Sequence, residues 1–212
     1  MRRLPVYLLL DTSASMKGEP IEALIKGIDT MIRALRQNPQ AIESVYISII
    51  TFSNTAQVLI PLTDLGSFQM TELKATGQTA LGAALRLVTD RINSEIKRTM
   101  EEKGDWKPIV FIMTDGVPID DWKKGADYFA TCKTAYTVAC AAGSHADTSV
   151  LKQITPHVIS LEKADEDSMS RFFLWMSSSI GTTSVRVESN GDTLGLPSLD
   201  ELPPPPPDIN IL

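Results

Sequence analysis

The first apolar run, Leu4–Leu10, constrains the fold more than any other feature of the sequence. It has the sequence LPVYLLL and stops at an aspartate. A strand with one face in water alternates apolar and polar residues, whereas a strand buried on both faces is apolar throughout. The run therefore predicts a central strand of a sheet that is covered on both faces.

Further apolar runs alternate with segments of helical periodicity. Strands are predicted at Val45–Phe52, Pro108–Met113, Ala135–Ala142 and His157–Leu161. Helices are predicted over residues 20–36, from near Thr79 to Met100, and over Asp121–Lys133, Thr148–Ile154 and Asp167–Ile180. Strand–helix alternation implies right-handed crossovers and a mostly parallel sheet.

One short strand departs from this alternation. Gln57–Ile60 follows Val45–Phe52 so closely that a hairpin is the easiest connection, which makes this strand an antiparallel edge. The predicted fold class is therefore α/β, with a doubly wound, mostly parallel six-stranded sheet, one antiparallel edge strand and helices on both faces, as in Rossmann-like folds.

The chain has 212 residues, which suits one domain and an extension. We predict a domain over residues 1–181 and an acidic, proline-rich tail over residues 182–212, with a short β segment at Val185–Val187. Of the net charge of −6, −4 lies in that tail, which also holds the five prolines Pro203–Pro207. The tail is interpreted as a flexible extension or, alternatively, as a proline-rich docking segment.

The composition limits the classes of partner and the cellular location that the sequence is consistent with. A negative net charge without a basic tract argues against nucleic acid, and no apolar stretch is as long as the roughly 20 residues that span a membrane. The only two cysteines, Cys132 and Cys140, form no CxxC pair, which favours buried thiols and a reducing, cytoplasmic setting.

Three polar clusters follow predicted strands or open a predicted helix. Asp11, Ser13 and Ser15 directly follow the first strand, Thr79 opens the second long helix, and Asp115 follows the PIVFIM strand. Ligands of open α/β sheets bind outside the carboxyl ends of the strands. Hydroxyls and carboxylates are hard oxygen donors, which predicts a site for Mg²⁺, with Mn²⁺ or Ca²⁺ as possible ions.

Each cluster also has a purely structural interpretation. Asp11 and Ser13 could form a turn or cap a helix, Thr79 could be an N-cap, and Asp115-Gly116 could form a turn. The joint occurrence of all three clusters in the expected structural context favours a metal site.

The motifs resemble those of von Willebrand factor A domains. DTSAS at Asp11–Ser15 is similar to the family's DxSxS motif, and the threonine and aspartate loops are similar to Gly77-Gln-Thr79 and Thr114-Asp115-Gly116. The resemblance implies a metal-ion-dependent adhesion site, in which Ser13 and Ser15 bind the ion directly and Thr79 binds directly or through water. It also implies that Asp11 and Asp115 act through water, so that an Asp or Glu of a protein partner completes the coordination.

Within this family the chain resembles the bacterial TerY-type group, which is linked to tellurium resistance and stress response. LPVYLLLDTSASM, the GQTALGAAL stretch and TDGVPIDDW carry the resemblance, and Ile119 departs from the threonine expected there. The resemblance implies a kinase or a phosphatase as the partner.

Three functions follow as hypotheses. The preferred one is a metal-dependent protein-binding module that is not an enzyme. A metal-dependent phosphohydrolase is an alternative, but the first strand ends in DTSAS and not in a DxD pair, and no GxSxG, P-loop or GxGxxG motif occurs. A metal-independent adaptor that acts through the tail is the third.

Overall fold

The computed structural model describes residues 2–97, 104–143, 146–189, 203–206 and 209–212. The strands are β1 (Leu4–Asp11), β2 (Val45–Phe52), β3 (Ala56–Asp64), β4 (Ile109–Thr114), β5 (Tyr136–Ala142), β6 (Val158–Leu161) and β7 (Asn210–Ile211). The helices are α1 (Glu19–Leu35), α2 (Pro39–Ser44), α3 (Leu81–Glu95), α4 (Trp122–Phe129), α5 (Thr148–Ile154) and α6 (Glu166–Ser189), and a 3₁₀ turn spans Ala14–Met16.

The strands form one sheet in the order β3-β2-β1-β4-β5-β6-β7. The pairs from β2 to β6 are parallel, while β3 is antiparallel to β2. The predicted doubly wound fold with an antiparallel edge strand is confirmed. The sheet has seven strands where six were predicted, because β7 pairs antiparallel with β6 at the opposite edge.

The β1 strand is fully buried along its length, as its composition predicts. Its side chains alternate between two apolar layers. Leu4, Val6, Leu8 and Leu10 face the layer that holds α1 and α6, whereas Tyr7 and Leu9 face the layer that holds α3, α4 and α5. Since both layers are apolar, only the ends of the strand can carry polar side chains.

Several predicted boundaries differ from the structure. Helix α6 continues from Ile180 to Ser189, so the β segment predicted at Val185–Val187 is wrong and its backbone is helical. Helix α4 ends at Phe129 and not at Lys133. Helix α3 ends at Glu95 and Ile96 is extended, so the predicted continuation through Ile96 is wrong, while the predicted end at Met100 lies outside the described residues. None of the helices that the structure describes is long and apolar enough to cross a membrane.

Candidate metal centre

The candidate site lies where the strand order reverses direction. Strand β1 is flanked by β2 on one side and by β4 on the other, and both neighbours are parallel to it. The connections from β1 and from β4 leave in opposite directions, which opens a crevice at their carboxyl ends. Because Leu10 is paired with Met113, the next residues, Asp11 and Thr114, adjoin each other at the mouth of this crevice.

Asp11 forms the floor of the site and is completely buried. Its Oδ1 accepts a hydrogen bond from the Ser13 backbone N–H at 2.8 Å, and its Oδ2 accepts one from the Thr114 hydroxyl at 2.5 Å. The first bond closes a local turn after the strand. Both carboxylate oxygens are therefore held in fixed positions. Sequence reasoning did not predict this role of Thr114, although Thr114 immediately precedes the predicted ligand Asp115.

Ser13, Ser15 and Asp115 form a chain of hydrogen bonds above Asp11. The two serine Oγ atoms lie 3.0 Å apart, and Ser15 donates to Asp115 Oδ1 at 2.8 Å. Ser13 and Asp115 are nearly buried, whereas Ser15 is exposed. The 3₁₀ turn that begins at Ala14 folds the chain back so that both hydroxyls lie on the same side. The structure thus brings four of the five predicted residues into one hydrogen-bonded group.

The loop before α3 is attached to the loop after β1 by backbone hydrogen bonds. Ala14 N–H donates to Gly77 O at 2.9 Å, and Thr76 N–H donates to Thr12 O at 2.8 Å. Gly77 has a φ of +82°, and a Cβ there would lie 2.7 Å from Asn54 Oδ1. Glycine is needed at this position for both its backbone conformation and the close approach.

Thr79, the fifth predicted residue, lies against the loop after β4. A Cβ added to Gly116 would lie 2.9 Å from Thr79 Oγ1, so the glycine lets the threonine hydroxyl approach the backbone beside Asp115. The Ile119 N–H donates to Thr79 O at 3.1 Å, which links the two loops. All five predicted residues therefore lie on three linked loops at the carboxyl edge of the sheet.

Asp120 fixes the same two loops to each other, a role that sequence reasoning missed. Its Oδ1 accepts from Gly82 N–H at 3.0 Å and its Oδ2 accepts from Ala83 N–H at 2.8 Å. These amides belong to the first turn of α3, whose own N-cap residue, Ala80, offers no side-chain hydrogen bond. An aspartate five residues after Asp115 is the only sequence signal, and it does not indicate which helix is capped.

The electrostatics of the site favour a cation. Burial raises the pKa of the Asp11 carboxyl to about 6, and the negative charge of Asp115 adds to this rise, although hydrogen bonds from Thr114 and Ser13 oppose it. The largest influences on this pKa are burial, these hydrogen bonds and the Asp115 charge, and no basic group is among them. A carboxylate in such surroundings is stabilised by a nearby positive charge. The residues present therefore fit a bound metal ion.

The donor set also indicates which kind of ion fits. In the part of the chain that the structure describes, no group of three or more His, Cys, Asp or Glu side chains is arranged to hold a metal. The candidate centre instead combines three hydroxyls with two carboxylates, all of them hard oxygen donors. His157 immediately precedes the amino end of β6, which lies away from this edge of the sheet. His145 lies outside the described residues.

The apolar residues on the loop after β4 are partly exposed beside the site. Val117 is 57% exposed and Ile119 is 60% exposed, which gives this face an apolar rim next to Asp115. Trp122, which sequence reasoning placed either at this face or beneath its own helix, is partly buried and packs against the apolar layer of α3 and α4. Trp122 therefore contributes to the packing between α3 and α4.

Comparison with known proteins gives a family and a fold. A family model described as the von Willebrand factor type A domain matches residues 6–117, which is more than half of the chain. The matched segment contains all five predicted site residues. No curated protein matches the chain.

Solved structures share the architecture. Proximal thread matrix protein 1 from the mussel byssus superposes with a TM-score of 0.66 at 17% identity, covering 84% of this chain and 48% of that one. A structure of the same byssus protein with zinc in its metal-ion-dependent adhesion site (MIDAS) motif superposes with a TM-score of 0.65 at 19% identity. It covers 84% of this chain and 48% of that one. The pilus adhesin SpaC from Lactobacillus rhamnosus GG superposes with a TM-score of 0.67 at 13% identity, covering 85% of this chain and 31% of that one. The chain thus spans less than half the length of each.

Proposed function

Because the chain belongs to the von Willebrand factor type A family, we propose that it is a metal-ion-dependent protein-binding module. The observation that carries this proposal is the convergence of Asp11, Ser13, Ser15, Thr79 and Asp115 at the switch point of the sheet. This set combines a completely buried carboxyl at Asp11 with hydroxyls of which one, that of Ser15, belongs to an exposed residue. The zinc-occupied MIDAS motif of the mussel byssus protein supports the proposal by analogy.

The proposed roles divide the five residues by whether they bind the ion directly or through water. Ser13 and Ser15 hold the ion directly, and Thr79 holds it directly or through water. Asp11 and Asp115 act through water, which agrees with the two hydrogen bonds that already occupy the oxygens of the buried Asp11. Because neither carboxylate binds the ion directly, the ion keeps much of its positive charge at the exposed side of the site. There an Asp or Glu of a protein partner completes the coordination of the ion.

We propose Mg²⁺ as the ion, with Mn²⁺ or Ca²⁺ as substitutes, since all three prefer oxygen donors. Calorimetric titration of each ion into the wild type should give a saturable heat that Asp11→Ala abolishes. Asp29→Ala removes the same charge at an exposed position on α1 and should bind the ion as the wild type does. Equal heats in the wild type and Asp11→Ala would contradict the proposed site.

The open coordination position is tested with Mn²⁺ as a probe. Bound Mn²⁺ with an exchangeable water enhances the relaxation of bulk water protons. N-acetyl-aspartate amide should displace that water and lower the enhancement, whereas N-acetyl-asparagine amide should not. If both compounds leave the enhancement unchanged while Mn²⁺ stays bound, the site does not accept a carboxylate.

We propose that the site binds and does not catalyse. Asp11 is enclosed, and both its oxygens are engaged, so it cannot reach a substrate as a base. Turnover of p-nitrophenyl phosphate should therefore stay at the background level with Mg²⁺ or Mn²⁺. Activity that persists through purification and disappears in Ser13→Ala would overturn this statement and favour the phosphohydrolase.

We further propose a cytoplasmic role in a bacterial stress-response or tellurium-resistance system, with a kinase or a phosphatase as the partner. The TerY-like motifs around Asp11 and Asp115 support this assignment. Tagged wild type in Mg²⁺ should retain such an enzyme from its source cells, and tagged Asp11→Ala or wild type in EDTA should not. Retention that is independent of the metal would instead favour an adaptor that acts through residues 182–212.

A further inference from the structure

Residues 203–206 and 209–212, here called the clasp, contact the edge of the sheet at β6 and the helix α6. Beyond the proposed function, we propose that the β6 edge and Trp175 form a docking site for a proline-rich strand, which is occupied by the clasp of the same chain and is exchangeable with the clasp of a second copy. Three separate contacts support this site, and none of them involves the candidate metal centre.

The first contact is made by Trp175. Its indole Nε1–H donates to Pro203 O at 2.8 Å, and its ring is 5% exposed and packs at 6.0 Å from the ring of Phe172. Prolines lack an N–H, so a proline segment presents only carbonyl oxygens for hydrogen bonding. Proline-rich peptides are commonly bound in grooves lined by aromatic side chains, and Trp175 combines such an aromatic ring with a donor for a proline-segment carbonyl.

The second contact is an apolar anchor. Ile209 is 5% exposed and belongs to the apolar layer that includes Phe172 and Trp175. The Ile209 N–H donates to Pro206 O at 2.9 Å, which links the proline segment to the residue that precedes β7. This anchor is the largest apolar group that the clasp buries, because Ile211 and Leu212 are 60% and 45% exposed.

The third contact extends the sheet. In the antiparallel pairing of β7 with β6, Asn210 lies opposite Ser160 and Ile211 lies opposite Ile159. The Leu212 N–H donates to Val158 O at 2.9 Å. The other side of β6 pairs with β5, so the clasp covers the side that would otherwise be an open edge. Addition of a strand to such an edge is a recurrent way of binding peptides.

The same contacts can form between two copies. In the part of the tail that the structure describes, the clasp is held by a buried Ile209, the Trp175 hydrogen bond and a two-residue strand. Contacts of this size make the occupancy of the edge depend on the local concentration that the covalent connection provides. From Ser189 to Pro203 the chain has 14 residue steps, which reach at most about 50 Å when extended at about 3.6 Å each. That reach allows the clasp to occupy either its own edge or a neighbour's.

A disulfide trap tests the exchange with conservative substitutions. Chains with Ser160→Cys and chains with Asn210→Cys, both in a Cys132→Ser background, are mixed in EDTA under mild oxidation. Because residues 160 and 210 are directly opposite, exchange should give a covalent heterodimer that grows with concentration. The double-cysteine chain should instead close within itself. Adding Ile209→Asp to the Asn210→Cys chain should remove the heterodimer.

A peptide experiment gives an independent measurement. A fluorescent peptide of residues 203–212 should bind the full-length Ile209→Asp variant at least tenfold tighter than the wild type, whose own clasp fills the site. Leu212→Asp adds the same charge at a more exposed position and should behave as the wild type. In the Ile209→Asp chain, Trp175→Phe should weaken the peptide by removing the indole donor.

Two outcomes overturn the proposal. One is a double-cysteine chain that closes while the mixed chains give no heterodimer. The other is a peptide that binds no chain, or that binds equally when its own Ile209 is replaced by Asp. Both experiments are run without metal, so a failure of the proposed metal centre would leave their outcomes unchanged.

Discussion

At the scale of single residues, Asp11 shows how stability and binding oppose each other. Its carboxyl is fully buried at the end of β1, and burial raises its pKa from 3.8 to about 6. The ionised form therefore destabilises the folded state without a cation, although metal binding requires that form. The residue is better suited to the site than to the stability of the metal-free fold.

Asp11→Asn should therefore stabilise the metal-free protein at pH 7.5 by about 1–3 kcal/mol, since one pKa unit corresponds to about 1.4 kcal/mol. The folded pKa of about 6 lies above the unfolded value of 3.8. The wild type thus regains stability as the pH falls from about 6 towards 4, and the advantage of the variant should shrink over that range. Urea denaturation in EDTA at several pH values measures both effects, and a less stable variant at pH 7.5 would contradict them.

Gly116 has no side chain, and this leaves room for the Thr79 hydroxyl, a proposed metal ligand. Gly116→Ala would place a Cβ at 2.9 Å from Thr79 Oγ1, so the threonine hydroxyl must move. We expect Mg²⁺ affinity to fall at least tenfold in calorimetric titrations, with a loss of stability of about 1 kcal/mol or more from overpacking. Gly66→Ala serves as the control, because its Cβ would lie 3.3 Å from Asp64 Oδ1 at the opposite edge of the sheet, where Asp64 pairs with Tyr46 near the start of β2. Unchanged affinity in Gly116→Ala would show that Thr79 does not hold the ion.

At the scale of elements, helix α3 is capped by a residue from another loop. Asp120 accepts hydrogen bonds from Gly82 and Ala83, and Thr79 precedes these residues in the chain. The contact between α3 and α4 is also unusually close, because a Cβ on Gly125 would lie 2.5 Å from Gly82 O. Both features fix the start of α3, and hence Thr79, relative to the loop that carries Asp115.

Asp120→Ala should cost about 1–2 kcal/mol of folding free energy, the range typical of a lost helix cap. It should also weaken Mg²⁺ binding, although Asp120 is not a proposed ligand. Asp121→Ala makes the same charge change at the N-cap of α4, where the exposed side chain accepts a hydrogen bond of 3.4 Å from the Lys124 N–H and pairs with Lys124 Nζ at 2.7 Å. Calorimetry and urea denaturation of both variants should show the larger loss in Asp120→Ala, and equal metal affinity in the two would contradict a positioning role.

At the scale of the whole molecule, the metal should act as a stabiliser of the fold. The five site residues come from three loops that converge only in the folded sheet, so the unfolded chain lacks the site. Binding to the folded state alone stabilises it by about 2.7 kcal/mol when the free ion is at a hundred times its Kd. The denaturation midpoint of the wild type should therefore rise with Mg²⁺, whereas that of Asp11→Ala should stay constant. A rise in both would indicate binding elsewhere.

The sequence by itself determined the layered architecture, because local patterns encode it. The continuous apolar run Leu4–Leu10 requires two covered faces, and helical spacing in residues 20–36 predicts α1 within one residue of its observed ends. The same holds for the candidate site. Polar residues that end buried strands must lie at the carboxyl edge of a parallel sheet, so Asp11 and Asp115 could be placed together without coordinates.

The tertiary structure alone decided which partners distant residues have. Nothing local links Asp120 to the amides of Gly82 and Ala83, or Trp175 to Pro203, since these contacts join segments far apart in the chain. Strand β7 has two residues, too few for a periodic pattern, and it pairs with β6 because Ile209 is buried beside it. Periodicity reports which face of an element is buried, whereas the free energy of long-range pairing depends on the assembled surroundings.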